Sequence, residues 1–192
     1  MKKLFLATGN PHKLEEFNEL FEGLSIELSM IPVDVEENGK TFQENALIKA
    51  RAGCASSHEA TLADDSGLAV DALDGAPGIH SARYAPTKEA RIEKLLDALE
   101  GVPDPARTAA FHCALAVVWP DGRELSVEGK CPGVINHAPV GSEGFGYDPV
   151  FFLPELNKTF AELSSEEKNR LSHRGRAAHL LLDALRSAGF LE

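Results

Sequence analysis

One nearly uninterrupted apolar run, Ala109–Trp119 (AAFHCALAVVW), constrains the fold of this chain more than any other stretch. Such a run is typical of a β-strand that is buried on both faces, as in the middle of a covered sheet. We therefore predict a central strand here and interpret His112 as a hydrogen-bonded histidine of the core. The turn residues Pro120–Gly122 and the alternating Glu124–Glu128 (ELSVE) predict that the chain returns as the second arm of a hairpin.

The N-terminal segment predicts a strand, a tight turn and a helix in succession. Lys3–Ala7 (KLFLA) predicts a buried strand, and apolar residues recur every three or four positions over Leu14–Leu24. Between them, Asn10 suits the N-cap of the helix and Pro11 its first position. The free N–H groups and positive dipole end of such a helix favour phosphate, and Lys13 adds a formal charge. The turn is not a Walker A loop, and an ordinary capped helix explains it equally well.

Two adjacent carboxylates, Asp64 and Asp65, end a short apolar run and precede Ser66 and Gly67. If that run is a strand, neighbouring side chains point to opposite faces of it. One acid can then face a pocket while the other anchors a turn, so we predict a corner of the chain at this point. A plain turn without a site explains the four residues about as well, because Asp, Ser and Gly are common turn formers.

Further acids precede a predicted helix. Glu36 and Glu37 lie in an extended stretch or loop, for which a solvated acidic loop is the alternative interpretation. Thr41 and Glu44 have the spacing of a capping box, which predicts a helix to about Ser56. Lys49 lies near the apolar face of that helix, and we interpret it as a lysine whose ammonium group reaches solvent.

The C-terminal part contains a glycine-rich loop and two helix starts. The loop Gly141–Tyr147 (GSEGFGY) leads into Asp148. Ser164–Glu167 has the pattern of a second capping box, before a short helix that contains Lys168. Ser172–Arg174 (SHR) opens the last amphipathic helix.

Composition excludes several classes of partner. The chain has 30 acidic and 19 basic residues, a net charge of −11, which opposes binding to nucleic-acid polymers or an anionic membrane. Its three cysteines are odd in number and lack CxxC spacing, so neither a disulfide framework nor a zinc site is predicted. The apolar run Leu4–Ala7 is too short for a signal peptide or a membrane span, and we expect a cytoplasmic protein folded as a single unit.

Acids on one set of loops and cations on another suggest a nucleoside triphosphate as the ligand. Glu36 or Glu37, with Asp64 or Asp65, could give carboxylate oxygens to Mg²⁺, which takes one or two carboxylates together with phosphate oxygens and water. The turn after the first strand and the late cations could neutralise the phosphate chain. Phe145 could stack on a base, as could Tyr147.

Five stretches, in order and over nearly the whole chain, resemble the non-canonical purine nucleoside triphosphate pyrophosphatases, the inosine/xanthosine triphosphatase family. They are LATGNPHKLEEF, ENGKTFQENALIKA, LADDSGLAVDALDGAPGIHSARY, GFGYDPVFF and EEKNRLSHRGRA. The resemblance implies hydrolysis of ITP, dITP and XTP to the monophosphate and pyrophosphate with Mg²⁺. It also implies one domain over residues 1–192, an elongated mixed β-sheet with flanking helices, two lobes around a central substrate cleft, and a homodimer.

The same resemblance assigns roles to individual residues. Asp65 would be the general base and a metal ligand, and Glu37, which keeps the family's spacing of four to Thr41, would be the second metal ligand. Substrate would be bound by a larger set: Thr8, Gly9, Asn10, Pro11, His12 and Lys13 at the triphosphate, Ser66, then Phe145, Gly146, Tyr147 and Asp148 at the base, with Lys168, His173 and Arg174.

Two other functions remain open at this point. One is a related pyrophosphatase for other modified or pyrimidine nucleoside triphosphates, with the same metal chemistry and a different base pocket. The other is a nucleotide-binding sensor without catalysis. The adjacent Asp64 and Asp65 argue against the sensor, because negative charge beside a triphosphate weakens binding unless a metal is present.

Overall fold

The computed structural model describes residues 2–191, which form a mixed α/β fold of seven strands and five helices. The strands are β1 (Lys2–Ala7), β2 (Ile26–Ile31), β3 (Thr61–Val70), β4 (Thr108–Val118), β5 (Glu124–Ile135), β6 (Phe151–Leu153) and β7 (Lys158–Thr159). The helices are α1 (Pro11–Leu20), α2 (Phe42–Ser57), α3 (Lys88–Ala98), α4 (Ser165–Leu171) and α5 (His173–Ser187). A mixed sheet with flanking helices is confirmed.

The strands pair in the order β2-β1-β3-β4-β5-β6-β7. β1 is parallel to β2 and β3, whereas β6 is antiparallel to β5 and β7. β4 therefore has three strands on each side, which confirms the predicted central strand. The turn after β4 is closed by a hydrogen bond from Trp119 N to Arg123 O (3.0 Å), and β5 lies next to β4, as the predicted hairpin requires. His112 in β4 is half-buried rather than fully in the core.

The chain divides into two compact units. The first consists of the chain up to Asp65, Cys113–Gly129 and the chain from Arg174 onwards. The second consists of Ser66–His112 and Lys130–His173. The two lobes around a substrate cleft stay a prediction.

Alternation along the strands builds two cores in the first unit. Leu6 and Leu62 belong to a cluster that includes residues of α1 and α5, with Phe17 and Leu181 fully buried. The following residues, Ala7 and Ala63, belong to a second cluster with the α2 residues Ala46 and Ala50. Each fully buried leucine stabilises the fold by roughly 1.5–3 kcal/mol relative to an exposed one.

Small residues let α2 approach the sheet closely. Its Gly53 lies against Thr61 and Ala7, and a Cβ atom at Gly53 would come within 2.7 Å of the Thr61 side chain and 3.2 Å of Ala7 Cβ. Such distances leave no space for a larger residue without a shift of the helix. The alanine-rich face of β1 and β3 therefore sets the position of α2 and of the polar groups that it carries.

Aromatic rings fill the core of the second unit. The ring centroid of Phe111 lies 4.5 Å from that of Phe151 and 5.5 Å from that of Phe160. The α3 helix adds the fully buried Leu95 to this cluster, and its first turn is capped by Thr87, whose hydroxyl oxygen accepts from Ala90 N (3.1 Å).

The predicted corner at Asp64 and Asp65 is wrong, because both residues lie inside the continuous strand β3. β3 continues to Val70 and is followed by a single 3₁₀ turn, Asp71–Leu73. Turn-forming residue types do not end the strand here, since the carboxylates have buried cationic partners that offset their desolvation. Within residues 2–191, no helix combines the length and the apolar character needed to cross a membrane.

Candidate active site

The turn after β1 has the predicted helix cap. Asn10 Oδ1 accepts a hydrogen bond from His12 N (3.0 Å), Thr8 Oγ1 accepts from Asn10 N (3.1 Å), and Pro11 is the first residue of α1. Gly9, Asn10 and the first two helical residues are exposed, whereas Thr8 is buried. Lys13 N donates to Asn10 O (3.2 Å), so an anion at this exposed helix N-terminus would replace acceptors that lie within the turn itself.

Asp64 is held between two cations in the first unit. Its carboxylate accepts from Lys13 Nζ (2.8 Å) of α1 and from Arg174 Nη2 (3.4 Å) of α5, and Arg174 Nη1 also contacts Glu16. Burial acts to raise the pKa of Asp64, but the charges of Lys13 and Arg174 outweigh it and hold the pKa well below its usual range. Burial acts to lower the pKa of Arg174, but the carboxylates of Glu16 and Asp64 outweigh it and raise the pKa above its usual value. The guanidinium is therefore charged.

Asp65 lies on the opposite face of β3 and has different surroundings. Its Oδ1 accepts from Lys49 Nζ (3.2 Å) of α2, and the same ammonium group donates to Glu37 Oε2 (3.1 Å). The other carboxylate oxygen, Oδ2, is buried and has no hydrogen-bond partner among residues 2–191. Burial raises the pKa of Asp65; Lys49 opposes this rise, and the nearby carboxylates of Glu37 and Asp64 add to it.

The donors at Asp65 and Glu37 fit a hard divalent cation. One lysine bridges two carboxylates, and a buried carboxylate oxygen is left without a partner in the described residues. In that part of the chain, no group of three or more His, Cys, Asp or Glu side chains is arranged to hold a metal. Two carboxylates without further protein ligands are what Mg²⁺ uses when phosphate oxygens and water complete its shell.

The structure also separates Glu36 from Glu37. Glu36 is exposed, whereas Glu37 is half-buried and its carboxylate contacts Lys49. Glu37 is therefore the member of the pair whose carboxylate belongs to the cluster with Asp65.

Lys49 is the residue that sequence reasoning missed. Its side chain is only 13% exposed, and its ammonium group bridges Glu37 and Asp65 instead of reaching solvent. Burial lowers the pKa of Lys49, but Asp64, Asp65 and Glu37 together raise it, so the lysine is charged. A signal existed in the spacing, since Lys49 lies three residues after Ala46 and one before Ala50, both of which face the sheet.

The glycine-rich loop is organised around one carboxylate of the second unit. Asp148 Oδ2 accepts from Phe145 N (2.8 Å) and from Lys168 Nζ (2.7 Å). The Lys168 ammonium group also lies 4.6 Å from the centroid of the Phe145 ring, within range of a cation–π contact. Gly144 has a φ of +74°, and a Cβ atom there would overlap Asp148 Oδ2. Glycine at this position lets the loop close on the carboxylate.

Phe145 and Tyr147 have different environments in this loop. The Phe145 side chain is 50% exposed, which leaves a ring face for stacking. Tyr147 is buried, its hydroxyl donates to Ser81 O (2.9 Å), and desolvation by burial raises its pKa to about 12. Tyr147 therefore anchors the loop in the core, and Phe145 is the ring that is open to a ligand.

The remaining predicted residues are placed as follows. His173 is buried and stacks on Phe111, with ring centroids 4.8 Å apart and planes 14° apart. Lys168 is carried by α4, whose capping box at Ser164 and Glu167 is confirmed. Ser66 is half-buried in β3. The structure thus brings together Lys13 with Asp64 and Arg174, Glu37 with Lys49 and Asp65, and Phe145 with Asp148 and Lys168.

Fold and side chains define a mixed α/β protein with a carboxylate–lysine cluster suited to a divalent cation. Comparison with known proteins gives the family. The model of the Ham1 family matches residues 4–184, and this chain belongs to that family.

Named relatives agree with the resemblance found in the five stretches. A dITP/XTP pyrophosphatase of Synechocystis is 51% identical over 185 residues, covering 95% of this chain and 94% of that protein. The dITP/XTP pyrophosphatase of Yersinia pestis is 50% identical, covering 98% of this chain and 100% of that protein. Among solved structures, a HAM1 protein from Coxiella burnetii has a TM-score of 0.89 and 43% identity, covering 97% of this chain and all of that one.

Proposed function

We propose that this protein hydrolyses non-canonical purine nucleoside triphosphates, dITP, XTP and ITP, to the monophosphate and pyrophosphate. One observation carries the proposal: a lysine holds two carboxylates together, and one of them has a buried oxygen without a partner in the described residues. The names of the relatives from Synechocystis and Yersinia pestis support the same activity. In the cell this reaction would keep deaminated purines out of DNA and RNA.

In the proposed reaction, Asp65 accepts a proton from the attacking water, and the water oxygen attacks the α-phosphorus. The bond between that phosphorus and the bridging oxygen breaks, and pyrophosphate leaves. A carboxylate whose pKa is raised by burial is a better proton acceptor than an exposed aspartate, which supports Asp65 in this role. Thr8–Lys13 would bind the phosphates through backbone N–H groups and the Lys13 ammonium group.

We propose that Glu37 and Asp65 hold Mg²⁺. When bound, the ion supplies positive charge that binds phosphate oxygens and stabilises the charge of the leaving pyrophosphate. The protein's own part is to hold the two carboxylates close to each other, and the ammonium group of Lys49, which contacts both, contributes to this.

The base would be recognised at the glycine-rich loop. Phe145 offers an exposed ring for stacking, and Lys168 offers an ammonium group as a donor. Inosine and xanthine carry an oxygen at C6 that can accept from such a donor, whereas adenine carries an amino group that cannot. Asp148 would fix the positions of Phe145 and Lys168. The proposed substrate-binding set also contains Ser66, Gly146, Tyr147, His173 and Arg174. We further propose that the protein works in the cytoplasm as a homodimer.

Pyrophosphate release from a panel of nucleotides tests the proposal. The panel is ITP, XTP, dITP, ATP, GTP, CTP and UTP, each with and without Mg²⁺. We expect the wild-type protein to release pyrophosphate from ITP, XTP and dITP, and only in the presence of Mg²⁺. Asp65→Asn should still bind these nucleotides but lose most of its turnover. Release chiefly from pyrimidine nucleotides would favour the related pyrophosphatase, and no release at all would leave the sensor. Near wild-type turnover by Asp65→Asn would refute the assignment of the base.

A further inference from the structure

The proposed metal ligand Glu37 lies on a segment without regular secondary structure, between the end of β2 at Ile31 and the start of α2 at Phe42. Asp65, in contrast, is fixed by the sheet. A cation that uses both carboxylates requires their separation to be set within a few tenths of an ångström. Some other group must therefore hold the backbone of the irregular segment next to Glu37.

Two side chains at the start of α2 hold this backbone. Gly39 N donates to Asn45 Oδ1 (2.8 Å), and the next amide, Lys40 N, donates to Glu44 Oε2. The predicted capping box at Thr41 is thus only half formed, since Thr41 accepts from Glu44 N but the Glu44 carboxylate binds the amide before Thr41. The bond to Glu44 is exposed, whereas Asn45 is completely buried.

Gly39 and Asn45 also fit each other sterically. A Cβ atom at Gly39 would come within 2.6 Å of Asn45 Oδ1 and 2.7 Å of Glu44 Cβ. No side chain fits at that distance without displacing the segment from the helix. The absence of a side chain at Gly39 is what allows its amide to reach the buried carboxamide.

The burial of Asn45 is energetically unfavourable for α2 itself. Among residues 2–191, the side chain makes one hydrogen bond, to Gly39 N, and its Nδ2 is buried without a partner. An unsatisfied buried polar group costs about 1–3 kcal/mol, so the carboxamide is not explained by the stability of the helix. The described contact that it does make is the one that ties down the segment of Glu37.

We propose that Asn45 is a positioning residue for the divalent cation: through the Gly39 amide it holds Glu37 at the separation from Asp65 that the cation needs. The inference rests on the proposed function, because it assumes that these two carboxylates bind the metal. Asn45 touches neither carboxylate in the described contacts and acts through the backbone two residues after Glu37.

Asn45→Ala removes the acceptor and tests the proposal. Substitution of residues that orient metal ligands weakens metal binding about 10- to 100-fold. We expect the Mg²⁺ concentration for half-maximal activity to rise about tenfold, with kcat at saturating Mg²⁺ within about threefold of wild type. Binding of Mn²⁺ alone, followed by the electron paramagnetic resonance signal of the free ion, should weaken by a similar factor without any turnover.

Gly39→Ala is a second variant that reaches the same contact from the other side. We expect Gly39→Ala to weaken Mn²⁺ binding as well. In the double variant with Asn45→Ala, it should weaken binding by a smaller factor than it does alone, because the clash with Asn45 Oδ1 is then absent. Fully additive effects would contradict the proposal. Gly39→Ala on its own also keeps the test informative if Asn45→Ala folds poorly.

Ser57→Ala serves as the matched control at the other end of α2, where the hydroxyl contacts Glu59 and Thr61. It changes a polar group of the same helix and should leave Mn²⁺ binding at the wild-type value. Glu37→Gln tests the proposed metal site itself, independently of the role of Asn45. If Glu37→Gln weakens Mn²⁺ binding and Asn45→Ala does not, the positioning role is wrong; if Glu37→Gln has no effect, the proposed metal site itself is wrong.

Discussion

Asp64 and Asp65 are adjacent in the chain, yet the charges around their carboxylates differ because β3 turns them to opposite faces. Asp64 shares its face with Leu62 and meets Lys13 and Arg174. Asp65 shares its face with Ala63 and meets Lys49. The first carboxylate has two cations, so it is a firmly ionised anchor, whereas the second has one cation that it shares with another acid. This difference supports the proposal that Asp65, rather than Asp64, exchanges protons and binds a metal.

Removing the anchor charge should be costly for stability. Asp64→Asn leaves Arg174 and Lys13 facing a neutral amide, and breaking a buried ion pair from one side costs about 3–5 kcal/mol. We expect the free energy of unfolding, measured in urea, to fall by that amount. Asp121→Asn, which breaks an exposed pair with Arg123, is the control and should leave the urea midpoint unchanged. Equal effects of the two variants would contradict the anchor role of Asp64.

Tyr147 provides a pH-dependent prediction, because the chain has only two tyrosines. In Tyr84→Phe, the remaining phenol should ionise near pH 12, as followed by its absorbance at 295 nm, and near pH 10 after unfolding. A raised folded-state pKa means that the unfolded state loses its proton first. The contribution to stability is therefore complete below pH 10 and is lost as the pH rises from 10 to 12. In Tyr147→Phe, the free energy of unfolding should not fall in this way as the pH rises from 10 to 12. If the phenol of folded Tyr84→Phe titrates near pH 10, the Tyr147 hydroxyl is not buried as described.

At the scale of elements, helix starts were predicted better than strand ends. Caps at Asn10 and Ser164 follow local hydrogen-bonding chemistry, and the structure confirms both. The course of β3 was predicted wrongly, because two acids, a serine and a glycine favour a turn when only neighbours in sequence are considered. The partners of the two acids come from α1, α2 and α5, at separations of 51, 16 and 110 positions in the sequence.

The cap of α4 should matter for function as well as stability, because this short helix carries Lys168. Ser164 Oγ accepts from Glu167 N (3.2 Å), and Ser164→Ala should cost about 1 kcal/mol. We expect the KM for ITP to rise more than kcat falls, since the displaced Lys168 would bind the base less well. Thr87→Ala removes the equivalent cap of α3 and should cost a similar free energy without changing KM. A KM effect shared by both variants would show a general loss of stability instead.

At the scale of the whole molecule, several side-chain contacts of the candidate site could not be predicted from the sequence. The capped turn after β1 and the carboxylates of the candidate site could be singled out because their chemistry is local or resembles that of a known family. Four pairings could not: Arg174 with Glu16, Arg174 with Asp64, Lys49 with Glu37 and Lys49 with Asp65. The first two join residues more than a hundred positions apart, and no periodicity along the chain predicts which helix meets which strand.

The labelling rates of the three cysteines measure how often the native structure opens. All three are buried and none forms a disulfide, so a thiol reagent should label the native protein only as fast as it opens. Cys113 packs in the same cluster as Leu181, which is fully buried, whereas the neighbouring Leu180 is 48% exposed. Leu181→Ala should cost about 2–5 kcal/mol and speed the labelling of Cys113 by about 1.5 to 3.5 orders of magnitude. Leu180→Ala should leave the labelling rate unchanged, and equal rates in the two variants would mean that Cys113 becomes accessible by a local motion rather than by loss of the core.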